Sequence, residues 1–124
     1  MTIKAIVLDI DGTLLNTGKI ISEKTKQALI AAQEKGIKVI LASGRPTTGM
    51  LELAEQLEMT KYEGFLVSYN GARVTDCLTK KVLFNQAMSI ETGQAILEHL
   101  KKFDVIPMID KEDYLYVNDC LLYT

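Results

Sequence analysis

The chain has 124 residues, 48% of them hydrophobic and 24% charged, with a formal net charge of −2. That length fits one domain with a real core, and that balance excludes a disordered chain. The missing basic stripe argues against a nucleic-acid role, and the opening apolar run is too short and too acidic for a signal peptide or a membrane span.

Residues 3–10 form a nearly continuous, β-branched apolar run and predict a strand buried on both faces. Residues 12–21 predict a turn and a short connection. Ser22 is placed to cap a helix whose apolar face is Thr25, Ala28, Leu29 and Ala32, ended by Gly36. Residues 37–42 predict a second apolar strand. Pro46 suits the first turn of a second helix, with Met50, Leu53, Ala54 and Leu57 on one face. Residues 64–68 predict a third strand.

Strand, helix, strand, helix, strand is the pattern of a parallel sheet with right-handed crossovers. Residues 72–75 and 81–86 then predict the arms of a hairpin around 76–79. Ser89 is placed to cap a helix carrying Ile96, Leu97, Leu100 and Phe103. Residues 105–109 and 114–117 look strand-like, with Lys111-Glu112-Asp113 as their turn. The change of style near residue 85 divides the chain into units 1–84 and 85–124, the second unfinished.

The chemistry gathers at three strand ends. The first carries Asp9-Ile10-Asp11-Gly12-Thr13, two carboxylates one residue apart opening into a glycine turn. Carboxylates that close repel each other, and burying either without a partner is costly. A divalent cation held by Asp9 and Asp11 removes that cost. The second strand ends in Ser43-Gly44-Arg45-Pro46, where a hydroxyl, backbone N–H groups, a helix start and a guanidinium fork suit a phosphate. The third ends in Asn70-Gly71, a turn dipeptide whose place argues for substrate contact. In open α/β sheets ligands collect at this edge. Arginine occurs only at Arg45 and Arg73, against twelve lysines. Cys77 and Cys120 form no CxxC pattern and are expected as free thiols in a reducing cytoplasm. His99, the methionines and the paired lysines suit surface or packing roles.

Taken together, Asp9-Ile10-Asp11-Gly12-Thr13-Leu14, Leu41-Ala42-Ser43-Gly44-Arg45 and Ser68-Tyr69-Asn70-Gly71-Ala72 resemble, in order and spacing, the haloacid dehalogenase-like phosphatases, in particular the Cof-type sugar phosphatases. The resemblance implies an α/β fold: a Rossmann-like parallel sheet, the N-terminal half of the catalytic core, followed by the beginning of an α+β cap domain. It implies a phosphatase of small phosphorylated metabolites; the cytoplasmic location is expected from the opening run and the cysteine pattern instead. Asp9 would be the nucleophile and Asp11 the general acid and base, with Mg²⁺ on the Asp9 carboxylate and the Asp11 backbone carbonyl. The implied phosphate and substrate contacts are Gly12, Thr13, Ser43, Gly44, Arg45, Asn70 and Gly71.

Members of that family place a lysine and a further acidic cluster downstream of the cap. Lys111 and Asp119 fall at the wrong point in the order to serve. The expectation is therefore an N-terminal fragment, inactive alone, whose first strand is an exposed apolar edge prone to self-association. The alternative is a non-catalytic module that keeps the phosphate cradle. A phospho-acceptor signalling domain needs an aspartate at the end of the third strand, where Ser68-Tyr69-Asn70 offers none.

Overall fold

A computed structural model describes residues 2–111 and 114–117. The chain divides into two compact units, Met1–Gln86 and Ala87–Thr124.

The first unit is a five-stranded sheet in the order β1-β2-β3-β4-β5. Its strands are β1 (Ala5–Asp9), β2 (Lys38–Ala42), β3 (Phe65–Ser68), β4 (Arg73–Asp76) and β5 (Val82–Asn85). The first three run parallel, and β4 and β5 complete the sheet antiparallel. Helix α1 (Glu23–Glu34) connects β1 to β2. A 3₁₀ turn (Thr48–Met50) and α2 (Leu51–Gln56) connect β2 to β3. Side chains alternate along a strand, so Val39 and Leu41 of β2 and Leu66 of β3 point to one face. There they meet Ile10, Met50, Leu57 and Met59 in a core from which solvent is excluded.

Several local expectations hold. The Ser22 hydroxyl accepts from the Thr25 amide at 3.2 Å, and Gly36 follows α1 at φ +82°, a left-handed stop that costs glycine nothing. Met50, Leu53, Ala54 and Leu57 are all buried. The hairpin forms, with Arg73 opposite Asn85.

Other expectations are corrected. β1 is not buried on both faces: among the described residues it pairs only with β2, and Val7 is 61% exposed. An apolar run reports that a strand wants cover, not whether cover is present. In α1, Ala28 faces solvent while Gln33 is buried, its Nε2 donating to the Leu57 carbonyl at 2.8 Å. A polar residue on a buried face is invisible to apolar periodicity. α2 starts at Leu51, so Pro46 lies ahead of the helix, where its carbonyl accepts from the Gly49 amide at 3.1 Å. The 12–21 connection is more than a turn: Leu14, Leu15 and Ile21 are buried, and Leu15 bridges both Asp11 and Ile21.

Cys77 is a buried free thiol, and burial pushes its pKa up to about 11, with Lys80 opposing and Asp76 assisting. At pH 8 the fraction ionised is then on the order of 10²-fold below that of an unperturbed thiol. In a Cys120→Ser protein, iodoacetamide should modify Cys77 slower by that factor in the folded than in the urea-unfolded chain; equal rates would contradict its burial. The unfolded state also loses this proton first as pH rises. Stability therefore declines from the ordinary thiol range up toward 11, and is unaffected by this group below it. Cys120 lies outside the described residues.

The second unit holds α3 (Ile90–Leu100) and an antiparallel pair, β6 (Met108–Lys111) and β7 (Tyr114–Val117). Ser89 caps α3, accepting from the Thr92 amide at 3.1 Å. The strand foreseen over 105–109 starts at Met108, just after Pro107, which has no amide to give to a ladder. Of the expected turn, Glu112 and Asp113 lie outside the described residues. No residue of α3 is buried, and Phe103, Val105 and Ile109 remain substantially exposed. Among the described residues no helix is long and apolar enough to cross a membrane.

Candidate active site

Parallel pairing brings the carboxyl ends of β1, β2 and β3 to one edge of the sheet. Asp9 stands in register with Ala42, and Ala42 with Val67. Beyond that row the chain turns sharply each time. After β1, the Leu14 amide donates to the Asp9 carbonyl at 3.1 Å and the Leu15 amide to the Ile10 carbonyl at 3.0 Å. Gly12 sits in this loop at φ +82°, a backbone position that favours glycine.

The loops after β2 and β3 are stitched together. The Tyr69 amide donates to the Arg45 carbonyl at 3.0 Å, and the Asn70 amide to the Ser43 carbonyl at 3.1 Å. Gly44 permits this approach, because a Cβ there would stand 2.9 Å from Asn70 Oδ1. Tyr69, Asn70 and Gly71 all have positive φ, at 53°, 55° and 95°. Two consecutive non-glycine residues in that region carry backbone strain, which clusters where geometry serves a site. Beneath them Thr47 Oγ1 and the buried Ser68 Oγ lie 2.7 Å apart. Ser43 Oγ accepts from the Arg45 amide at 3.2 Å.

Arg45 is tied to Asp11 by both arms of its fork: Nε donates to Oδ2 at 2.9 Å and Nη2 to Oδ1 at 2.7 Å. Nη1 also donates to the Gly49 carbonyl at 3.3 Å. These bonds hold the Asp11 carboxyl below its usual range; desolvation opposes and Lys19 adds a smaller pull. Asp11 in turn raises Arg45. The support this pair gives the fold is present above the ordinary carboxylate range and fades as pH falls through the lowered value. Both partners are open to solvent, so the pair contributes little stability.

The burial penalty expected for Asp9 and Asp11 is thus absent: both are exposed, and Asp11 is paired. Asp9 makes no side-chain hydrogen bond or ion pair among the described residues. Gly12, Thr13, Ser43, Gly44, Arg45, Asn70 and Gly71 fall in the three loops at the same edge. A helix N-terminus does not join them, since α2 starts six residues after Arg45. The Arg45–Asp11 pair was not foreseen; the scarcity of arginine was its one signal in the sequence.

The donors offered by Asp9 and Asp11 are all oxygen, the hard ligands that suit Mg²⁺. Among the described residues there is no group of three acidic, His or Cys side chains to close a metal site. The pair therefore fits the ion as part of a shell that water and a substrate oxygen would extend.

A family model described as haloacid dehalogenase-like hydrolase matches residues 6–121. A 5-amino-6-(5-phospho-D-ribitylamino)uracil phosphatase of Bacillus subtilis is 39% identical over 74 residues, covering 60% of this chain and 28% of that protein. An HMP-PP phosphatase of Cronobacter sakazakii is 32% identical over 89 residues, covering 72% of this chain and 31% of that one. In structure, a haloacid dehalogenase-like hydrolase from Bacteroides thetaiotaomicron superposes with a TM-score of 0.90 at 34% identity, over 97% of this chain and 45% of its own. The chain thus spans about a third of the length of these curated relatives.

Proposed function

Because the chain belongs to the haloacid dehalogenase-like hydrolases, we propose that it carries the nucleophile and the acid–base residue of a Mg²⁺-dependent phosphatase acting on small phosphorylated metabolites. The observation that supports this most is Asp9, an unpaired, exposed carboxylate beside Asp11 at the sheet edge where three glycine-containing loops converge.

In the proposed reaction an Asp9 oxygen attacks phosphorus in line with the ester bond. That bond breaks, and the leaving alkoxide takes a proton from Asp11. Water then attacks the aspartyl-phosphate, Asp11 accepts its proton, and phosphate leaves with the Asp9 carboxylate restored. Mg²⁺ on the Asp9 carboxylate and the Asp11 backbone would supply charge neutralisation to the phosphoryl oxygens. Arg45 favours the ionised Asp11 that the second half needs, and its fork must loosen for the first. Ser43 and the amides of Gly12 and Gly44 are the donors proposed for the phosphoryl oxygens.

Beryllofluoride tests this without requiring turnover. With Mg²⁺ present, ¹⁹F NMR should show bound fluorine resonances for the wild type and none for Asp9→Asn. Binding that survives the substitution, or no binding by the wild type, would sink the assignment. The lack of a third metal-ligating side chain among the described residues favours a second reading, a phosphate-binding module without turnover. Beryllofluoride binding with no phosphate release from p-nitrophenyl phosphate would select it.

A further inference from the structure

The sequence contains two arginines, and both sit at the carboxyl edge of the parallel strands. One is engaged with Asp11. The other, Arg73, opens β4 in register with Ser68, the last residue of β3. It is braced on two sides. Its Nε donates to Oδ1 of Asn85, the residue directly across the ladder, at 3.1 Å. Its guanidinium carbon stands 5.4 Å from the centroid of the Tyr69 ring. Tyr69 in turn is anchored by its amide to the Arg45 carbonyl, so the brace is continuous with the loop that carries Ser43 and Gly44.

This arrangement leaves both terminal nitrogens of Arg73 without a partner among the described residues. A guanidinium whose Nε and face are occupied keeps its two terminal nitrogens as a planar pair of donors, the geometry that reads a carboxylate or phosphate bidentately. Bracing lowers the ordering cost that a free arginine would bear on binding. A purely structural role as the cross-strand partner of Asn85 needs only the Nε bond and does not account for the aromatic brace. Three strand spacings separate β1 from β4, about 14 Å of sheet edge. A phosphorylated sugar and the arginine stem together span it.

We infer that Arg73 is a second anion-recognition point, selecting substrates that carry another anionic group remote from the phosphoryl group presented to Asp9. This rests on the phosphatase reading above and adds the substrate class: phosphomonoesters with a second phosphate or a carboxylate at their far end.

Three probes separate the possibilities, their binding to the Mg²⁺-loaded chain followed by calorimetry: glucose 6-phosphate, 6-phosphogluconate and fructose 1,6-bisphosphate. The wild type should bind at least one doubly anionic probe about tenfold or more tighter than glucose 6-phosphate, as a charge-assisted bidentate contact gives. The preferred probe tells a carboxylate from a phosphate. Arg73→Met should erase that preference while leaving glucose 6-phosphate within about twofold, and Arg73→Lys should restore part of it as a point charge without the fork. Equal affinities in the wild type, or a preference that survives Arg73→Met, would overturn the inference while beryllofluoride binding kept the active-site assignment intact. If beryllofluoride and all three sugars fail to bind, both fall together.

Discussion

Leu41→Ala should lower the unfolding free energy by about 2–5 kcal/mol, because the side chain is fully buried and its neighbours are held in a ladder on both sides. Leu8 of β1 and Leu66 of β3 are its register partners, and neither strand can move inward to fill the space without breaking pairing. For a domain of this size that loss corresponds to a fall in melting temperature of roughly 10 °C or more. Urea titration should show an earlier midpoint with an unchanged slope. The same truncation at the exposed Val7 should cost well under about 1 kcal/mol. Similar losses at the two positions would mean that the core is not centred on β2.

A second large effect is expected from adding rather than removing atoms. A Cβ on Gly64 would lie 2.7 Å from Met59 Cε, 2.9 Å from Met59 Cβ and 2.9 Å from the Val39 carbonyl oxygen. The methyl end of Met59 can swing away, but its Cβ and the β2 backbone cannot. Gly64 is also tied at both ends, its amide donating to the Met59 carbonyl at 2.8 Å and its carbonyl accepting from the Cys77 amide at 3.0 Å. Gly64→Ala should therefore destabilise by about 1–3 kcal/mol, and Gly64→Val by more. Gly49→Ala is the control: its new Cβ meets nothing closer than 3.9 Å, so stability should hold or rise slightly. Thermal melts of the three variants that ranked them otherwise would contradict the close packing of β2 against the 59–64 segment.

The residues that show what the sequence discloses are those whose physics is local. Ser22 and Ser89 cap helices because a hydroxyl bonds an amide three residues on, a rule that needs no knowledge of the rest of the chain. Met50, Leu53, Ala54 and Leu57 share a face for the same kind of reason. The strand ends were legible too, because carboxylates, glycines and hydroxyls interrupt apolar runs only where a chain leaves its sheet. What stayed hidden was pairing across distance. Nothing in the spacing of Asp11 and Arg45 signals a two-armed bond across 34 positions of sequence. Gln33 and the Leu57 carbonyl are hidden likewise. The apolar run of β1 does not by itself disclose how many neighbours cover it, because an apolar strand reads the same whether one or two flank it; the exposed edge expected for the first strand is what the structure has.

That one-sided pairing of β1 bears on how the site would fail under stress. Asp9 is the last residue of a five-residue ladder gripped, among the described residues, by β2 alone, whereas Ser43 and Asn70 hang from strands held on both sides. Local opening spreads from the least secured element. On warming, the proposed phosphate donors would outlast Asp9, the proposed nucleophile, leaving an interval in which anions could still dock but would no longer meet that carboxylate.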